Sequence, residues 1–272
     1  MAASPAAEMA RRAVRALEQR GPTHHASGFT CDLSPAELVA IEAAGCEPLQ
    51  LVMGSAIWHI GFQMLPAWTQ GGEITQLSQA MYGAREAAMR RMEREAGSAG
   101  ADGIVGVHIS IDFRRWGAGL AEFSTVGTAI RSRSRRGSLR TARGTVFTSD
   151  LSGQDFWTLL RTGYRPLGLV MGSCVYMAAP QSVGAWLTSR TRNQELTNLT
   201  EGMYKARELA MERMDMEARS FGADGIVGVK LTERAHAWGN RVIEFLALGT
   251  AVRRWDDEVD AAPPTMVLPL DR

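Results

Sequence analysis

The chain has 272 residues, a formal net charge of +1, and 45% hydrophobic and 22% charged residues. This length is sufficient for two domains that each bury a core, and the composition is that of a globular protein. The near-zero net charge gives no global reason to expect a nucleic-acid partner. The cysteines form no CxxC pair, and no run of about 18 apolar residues could cross a bilayer. Because the start of the sequence also lacks the apolar core of a signal peptide, we expect a cytoplasmic protein.

Residues 1–26 are predicted to contain a helix followed by a linker. Apolar residues at helical spacing between residues 5 and 19, among them Met9, Val14 and Leu17, predict an amphipathic helix. A helix of this kind is suited to docking a protein partner.

Residues 27–131 are predicted to form a first domain that begins with a helix and a strand. Ser34 and Glu37 have the spacing of a capping box, which predicts a short helix that starts after Ser34. Pro48 leads into an apolar strand over residues 50–60. This helix and strand are an N-terminal extension of the domain.

A long helix and two strands complete the first domain. Apolar residues at spacings of three and four between residues 77 and 92 predict a helix of about six turns. Thr75 is the predicted N-cap, and Gly100 suits the left-handed position just after the end of the helix. Alternating residues over 105–111 and a β-rich run over 122–130 predict a pair of strands.

The same pattern occurs a second time in the chain. Residues 29–56 align with residues 147–174, and residues 81–96 align with residues 203–218. An insertion in the second copy falls between residues 177 and 203, where the sequence is typical of a loop. The chain is therefore an internal duplication.

The duplication predicts a second domain over residues 145–254, with Thr197 and Gly222 at the two ends of its long helix. Residues 132–144 form an Arg- and Ser-rich linker, which we expect to be a flexible, solvated connector. Six arginines between residues 131 and 143 would attract phosphate backbones or anionic lipids. The linker has no interleaved aromatic residues, which argues against specific stacking on RNA or single strands, so a nucleic-acid partner is the weaker alternative. Residues 255–272 are predicted to form a disordered tail with a short apolar segment that is suited to binding a protein partner.

Three motifs in each copy resemble the YbjQ-like family, which carries the label heavy-metal-binding. They are an A-R-E-x-A-[LM] core in the long helix, a G-A-[ND]-[AG]-[IV]-V-G-V strand, and a closing G-T-A-[IV] strand. They lie at residues 84–89, 100–107 and 127–130, and again at residues 206–211, 222–229 and 249–252.

The resemblance implies an α+β protein with two dodecin-like β-α-β-β units, each an antiparallel sheet with one long helix and each preceded here by the helix-strand extension. It also implies a homo-oligomer, because members of the family assemble into rings of five in which extra strands join neighbours. This chain departs from that pattern as a fused tandem, so the number of subunits in a ring stays open. The resemblance implies no proven activity.

One set of polar residues recurs in both copies and is the candidate site. Its members are Tyr82, Arg85, Glu86 and Glu122 in the first copy, and Tyr204, Arg207, Glu208 and Glu244 in the second. One hypothesis is a pocket that binds an anion through arginine and tyrosine. The interpretation that we favour is structural: an Arg–Glu pair and a tyrosine hydroxyl that fix the packing between domains or subunits.

The sequence predicts no catalytic residue and identifies no cofactor or metal. No Cys or His occurs at matching positions in the two copies, which argues against a shared thiolate or imidazole site, and no nucleophile motif is recognisable. We therefore expect a non-enzymatic, self-assembling scaffold or binding protein. The alternative is a heavy-metal- or small-anion-binding protein with sites between repeats or subunits.

Overall fold

The computed structural model describes residues 29–59, 71–112, 120–133, 139–180, 197–235 and 242–255. The predicted N-terminal helix, the loops that join the last two strands of each domain, and nearly all of the predicted tail lie outside the described residues. We call the described residues up to 133 the first repeat and those from 139 the second repeat. None of the described helices is long and apolar enough to cross a membrane.

The two repeats share, in the same order, a short helix, a long strand, a long helix and two further strands, and each adds one short strand at a different point. The first repeat has α1 Pro35–Ala43, β1 Cys46–His59, β2 Gly72–Glu73, α2 Thr75–Ser98, β3 Gly103–Asp112 and β4 Leu120–Ser132. The second has β5 Phe147–Thr148, α3 Gly153–Arg161, β6 Tyr164–Met177, α4 Thr197–Ser220, β7 Gly225–Ala235 and β8 Val242–Arg254.

Each of the two sheets contains a short strand from the other repeat. The sheets have the strand orders β1-β4-β3-β5 and β2-β6-β8-β7. The strand β5, at the start of the second repeat, pairs in parallel with β3, and β2 of the first repeat pairs antiparallel with β6. The remaining pairs are antiparallel. The predicted α+β architecture of two β-α-β-β units is confirmed, and the exchange of short strands adds to it.

Each long helix packs directly on a strand of its own sheet. A Cβ atom built on Gly54 of β1 would lie 1.9 Å from the carbonyl oxygen of Ala88, and one built on Gly172 of β6 would lie 1.7 Å from that of Ala210. No side chain fits between the strand and the helix at these positions, so glycine permits the close approach.

The predicted C-terminal ends of the two long helices are correct. Gly100 and Gly222 follow the two helices with φ angles of 76° and 69°. This is the left-handed conformation that glycine adopts without steric cost, and it ends the helix.

The predicted N-cap Thr75 is wrong, because Thr75 is the first residue of its helix. Thr197 is the first described residue of α4, so its role as a cap stays a prediction. The N-cap of α2 is Ile74, and no side chain caps the helix there. The backbone N–H of Ile74 donates instead to the carbonyl oxygen of Val175, at 2.8 Å. A hydrogen bond to the second repeat therefore fixes the start of α2.

The hydrophobic core continues from one repeat into the other. Leu77 and Met81 of α2 pack in one cluster with Val175 of β6. In another cluster, Ile41 of α1 packs with Phe156 of α3. Since the shared residues are buried only when both repeats are present, the two repeats stabilise each other.

The linker between the repeats is partly packed rather than a freely solvated connector. Leu139 is buried, and the guanidinium of Arg140 lies 3.3 Å from the carboxylate of Asp102 and 2.5 Å from the carbonyl oxygen of Ala101. Asp102 is fully buried, and a buried carboxylate requires a charged or hydrogen-bonded partner. The arginine supplies that partner. Residues 134–138 of the linker are outside the described part.

The capping box predicted at the start of α1 is present. The backbone N–H of Glu37 donates to Ser34 Oγ at 3.3 Å, and the N–H of Ser34 donates to Glu37 Oε2 at 2.8 Å. Hydrogen bonds from the side chain and backbone of Ser34 lower the pKa of Glu37.

We expect Glu37→Gln to destabilise the folded chain by about 0.5–1 kcal/mol at neutral pH, because it removes a carboxylate from the first turn of a helix. The folded pKa of Glu37 is depressed, so its contribution is present above the ordinary glutamate pKa and is lost as pH falls through the lowered value. Urea unfolding of both proteins measures this difference in free energy. A difference that persists unchanged in acid would contradict the assignment to the charged form.

Candidate functional site: the seam between the two repeats

The long helix of the first repeat lies along the outer edge of the second sheet. Beyond the short strand β2, the outer backbone groups of β6 between residues 169 and 175 bond residues of α2, together with side chains of α4 and β5, rather than the backbone of a further strand. Ser78, Tyr82 and Arg85 lie at spacings of three and four, which places them on one face of α2. We call the contact of these three residues with residues 169–175 the seam.

Tyr82 hydrogen-bonds two backbone groups of the strand edge. Its hydroxyl donates to the carbonyl oxygen of Met171 at 3.3 Å and accepts from the N–H of Ser173 at 2.9 Å. Burial raises the pKa of Tyr82 above its ordinary value. The hydroxyl therefore stays protonated at neutral pH and remains able to donate.

Arg85 carries the charge at the seam, and it is almost fully buried. Its two terminal nitrogens lie 3.1 and 3.0 Å from the two carboxylate oxygens of Glu217 on α4, and one of them also donates to the carbonyl oxygen of Leu169 at 3.2 Å. Glu217 accepts a further hydrogen bond from the N–H of Met171 at 2.7 Å. The bidentate pair thus ties α2 to both α4 and β6.

A second ion pair lies beside the first. Arg213 of α4 donates to both carboxylate oxygens of Glu73 at 2.6 and 2.8 Å, and to the carbonyl oxygen of Ser173 at 2.7 Å. Burial on its own would raise the pKa of Glu73, but hydrogen bonds from Arg213 and Ser78 and the charge of Arg213 lower it overall. Ser78 Oγ also accepts from the N–H of Val175 at 3.1 Å.

Half of the predicted first-copy set meets at the seam. Tyr82 and Arg85 are there, side by side on α2. Glu86 instead pairs with Arg90 on the exposed surface, and Glu122 on β4 accepts a hydrogen bond from the hydroxyl of Ser55 at 3.4 Å. The structure gives Arg85 a partner from the other repeat and leaves both predicted glutamates with other contacts.

The matching residues of the second copy have a different environment. Tyr204 is 62% exposed, Arg207 is exposed, and Glu208 pairs with Lys205 on the surface at 2.9 Å. Glu244 is buried in β8. Small-ligand binding by the candidate set stays a prediction. Tyr82 and the two terminal nitrogens of Arg85 already bond protein partners at the seam, whereas the buried Nε of Arg85 has no hydrogen-bond partner among the described residues.

Sequence reasoning missed the acidic partner of Arg85 and the second ion pair. A signal for both was available in the aligned helices, because Glu217 matches Glu95 and Arg213 matches Arg91. Recurring charged residues at the same helical positions mark an interaction that both copies can make.

A family model matches this chain twice, over residues 49–133 and 160–254; it is the YbjQ family, described as "Putative heavy-metal-binding". The chain belongs to the YbjQ family. The predicted tandem of YbjQ-like units is thereby confirmed.

Relatives of this YbjQ chain include one of similar length and several about the length of one repeat. This chain is 44% identical to an encapsulin nanocompartment protein of Mycobacterium tuberculosis over 249 aligned residues. The alignment covers 92% of this chain and 94% of that protein. This chain is 42% identical over 90 residues to a UPF0145 protein of Halorubrum lacusprofundi, covering 32% of this chain and 82% of that protein. This chain is 40% identical over 87 residues to a UPF0145 protein of Methanococcus maripaludis, an alignment that covers 30% of this chain and 76% of that protein.

The donor atoms in the described part of this YbjQ chain do not suit a heavy metal. No group of three or more His, Cys, Asp or Glu side chains lies together among the described residues. Burial raises the pKa of the Cys46 and Cys174 thiols to about 12, so both are protonated at neutral pH, whereas the thiolate is the metal ligand. The carboxylate of Glu217 is already bound by Arg85.

Proposed function

We propose that this YbjQ chain is a non-enzymatic, self-assembling scaffold protein in which neighbouring chains join by the same contact that its two repeats make within one chain. The observation that carries this proposal is the unequal exposure of matching residues at the seam. Arg85 and three apolar residues of β6 that are buried at the seam have exposed counterparts, on α4 and on β1 respectively.

The first open face belongs to α4. Tyr204 and Arg207 match Tyr82 and Arg85, and Thr200 matches Ser78. Tyr204 and Arg207 are exposed, whereas Arg85 is only 7% exposed. The face of α4 that corresponds to the seam face of α2 therefore carries the same polar groups without a strand edge beside it in the described structure.

The second open face belongs to β1. Three apolar residues of β1 match buried residues of β6: Leu51, Met53 and Ile57 are 40%, 53% and 50% exposed, and their counterparts Leu169, Met171 and Val175 are 2%, 0% and 0% exposed. An exposed, apolar strand edge favours association with another chain.

The charges of the two open faces are complementary. Glu95 accepts a hydrogen bond from the N–H of Met53 at 3.0 Å, just as Glu217 accepts one from the N–H of Met171. Because Glu95 matches Glu217 and Arg207 matches Arg85, an approach of α4 to the β1 edge of the next chain recreates the Arg–Glu pair of the seam. Electrostatic complementarity of this kind selects the correct partner and register.

A contact between two different faces repeats into a ring when the rotation closes and into a filament when it does not. Whole chains contribute repeats in pairs, so a closed ring of intact chains holds an even number of repeats. The similarity to an encapsulin nanocompartment protein supports a role in assembly. A cytoplasmic location and partner docking through the terminal segments belong to the same proposal.

Light scattering on the purified chain tests the proposal. We expect the wild type to have a mass of several chains of 29.6 kDa, and Arg207→Glu to give folded single chains, because it sets a carboxylate against Glu95. The matched control is Lys205→Glu, which also reverses an exposed charge of the same helix; Lys205 pairs with Glu208, and its counterpart Gly83 is not among the seam residues. A wild type that stays monomeric at high concentration would overturn the proposal.

A further inference from the structure

The start of the second repeat covers the edge of the first sheet. Phe147 and Thr148 pair in parallel with Gly103 and Ile104 of β3. The pairing continues beyond β5, since the N–H of Gly106 donates to the carbonyl oxygen of Leu151 at 3.0 Å. Residues 147–151 thus complete the sheet of the repeat that precedes them.

The start of the first repeat is the same segment, held in the same way on its own repeat. Thr30 Oγ1 accepts from the N–H of Leu51 at 3.4 Å, as Thr148 Oγ1 accepts from that of Leu169 at 3.0 Å. Further along, the hydroxyl of Thr128 donates to the carboxylate of Asp32 at 2.5 Å. In the second repeat, the hydroxyl of Thr250 donates to the carboxylate of Asp150 at 2.7 Å in the same way. The segment 29–33 is therefore already shaped for strand pairing.

The two copies of this segment differ in how far their phenylalanine side chain is exposed to solvent. Phe147 is fully buried and stacks on Phe156 with ring centroids 5.8 Å apart, whereas Phe29 is 46% exposed. Among the described residues, the first repeat is preceded by no sheet that segment 29–33 could complete.

The strand β7 is the matching uncovered edge. It is the terminal strand of the second sheet as described, while its counterpart β3 has β5 beside it. Val229 is 41% exposed, although Val107 at the same position of β3 is buried. An uncovered strand edge with apolar side chains is a template for another strand.

Two glycines show where the side chain of an added strand sits. A Cβ atom built on Gly103 would lie 1.9 Å from the ring of Phe147, so glycine is required beneath that ring. A Cβ atom built on Gly225, the counterpart of Gly103, meets no atom within 4 Å. Gly225 thus leaves open, on the second repeat, the position that the ring of Phe147 occupies over Gly103 on the first repeat.

A cavity of about 370 Å³ lies next to this edge, between α3 and β7, with Leu151, Leu159, Val227 and Gly228 in its wall. At the matching place in the first repeat, Ile41 and Val105 pack with Leu151 and Phe156 of the second repeat, and Leu33 packs against the same cluster. The counterparts of Leu151 and Phe156 in the first repeat are Leu33 and Leu38, which are both partly exposed.

We propose that residues Phe29–Leu33 of one chain add as a parallel strand to the β7 edge of the next chain, with Phe29 over Gly225 and with Leu33 and Leu38 in the cavity between α3 and β7. This inference rests on the proposed self-assembly and names the segment and the edge that complete it. It makes the contact between chains head to tail, because the start of one chain binds the end of another.

Gly225→Val tests the proposal without disturbing the single chain. Gly225 has no left-handed φ angle, its Cβ position is open, and valine favours strands. At a dilution where both proteins are single chains, the variant is therefore expected to unfold at a midpoint no lower than that of the wild type. We expect it to be monomeric by light scattering at concentrations where the wild type assembles. Phe29→Ala is expected to weaken assembly in the same direction. If Gly225→Val assembles as the wild type does, the strand addition is wrong.

The outcomes separate the two proposals. A monomeric wild type removes both. An assembled Gly225→Val protein together with a monomeric Arg207→Glu protein removes the strand addition and keeps the seam contact between chains.

Cross-linking supplies a second, direct measurement. Benzoylphenylalanine in place of Phe29, in a mixture of isotope-labelled and unlabelled chains, is expected to link to the peptide that contains Gly225 in a different chain. Cross-links confined to the same chain, or to other peptides of the neighbour, would contradict the proposed pairing.

Discussion

Arg85→Ala is expected to destabilise the folded chain by about 3 kcal/mol, whereas Arg207→Ala should change its stability by less than about 0.5 kcal/mol in the single chain. The two arginines occupy the same position of the repeated helix. Only Arg85 has a partner in the described structure: its side chain is 9% exposed and that of Glu217 is 27% exposed. The expected loss lies at the lower end of the range for a broken buried pair, because Glu217 keeps some access to water.

The expected loss of stability in Arg85→Ala arises because the groups that Arg85 bonds stay at the seam without their partner. Without Arg85, the carboxylate of Glu217 keeps the N–H of Met171 but loses its counter-charge, and the carbonyl oxygen of Leu169 loses the donor that Arg85 supplies. Arg85→Lys is expected to be intermediate, since a lysine cannot make the bidentate contact.

Urea unfolding, at a dilution where light scattering gives the mass of one chain, measures these differences. The dilution is essential, because assembly would bury Arg207 as well. Equal effects of Arg85→Ala and Arg207→Ala under these conditions would contradict the seam as the site that holds the repeats together.

The sequence predicted the parts of the fold that depend on short-range patterns. The capping box of Ser34 and Glu37, the long helices, and the left-handed glycines after them all follow from residues a few positions apart. The N-cap is the instructive exception. Thr75 has the right chemistry for a cap, but a backbone hydrogen bond from Ile74 to Val175 of the other repeat sets the start of α2 instead.

The candidate site could be predicted only in part, because its partners come from different repeats. Tyr82 and Arg85 were recognisable from their recurrence, and packing between domains was the favoured interpretation. The acceptor of Arg85 is Glu217, however, and neither Glu86 nor Glu122 faces it at the seam. Which glutamate meets the arginine depends on how two similar units dock, and the recurrence of Glu95 as Glu217 in the aligned helices was the sequence signal that pointed to it.

The duplication also conceals an asymmetry. Tyr82 and Tyr204 lie in nearly identical helical sequences, yet Tyr82 bonds a strand edge and Tyr204 bonds none among the described residues. Two equal repeats in a row make one internal contact and leave one half of that contact open at each end. This asymmetry carries the assembly proposal, and it becomes visible only when the exposure of matching residues is compared.

Gly172→Ala is expected to destabilise the chain by about 3 kcal/mol or more, at the upper end of the cost of overpacking a core. The added methyl group would lie 1.7 Å from the carbonyl oxygen of Ala210, and a backbone atom of a long helix cannot move away as a side chain can. Gly168→Ala, in the same strand, is the matched control. Its methyl group would lie 3.3 Å from the ring of Phe221, an exposed side chain that can rotate.

Thermal and urea unfolding followed by circular dichroism measure both variants, and similar stabilities would contradict the direct packing of α4 on β6. The substitution at Gly172 has a second consequence, because Met171 and Ser173 on either side of it supply the two backbone partners of Tyr82. Moving β6 away from α4 therefore also displaces the edge that α2 binds. We expect Gly172→Ala to loosen the seam together with the core of the second repeat, so that the two repeats lose stability as one unit.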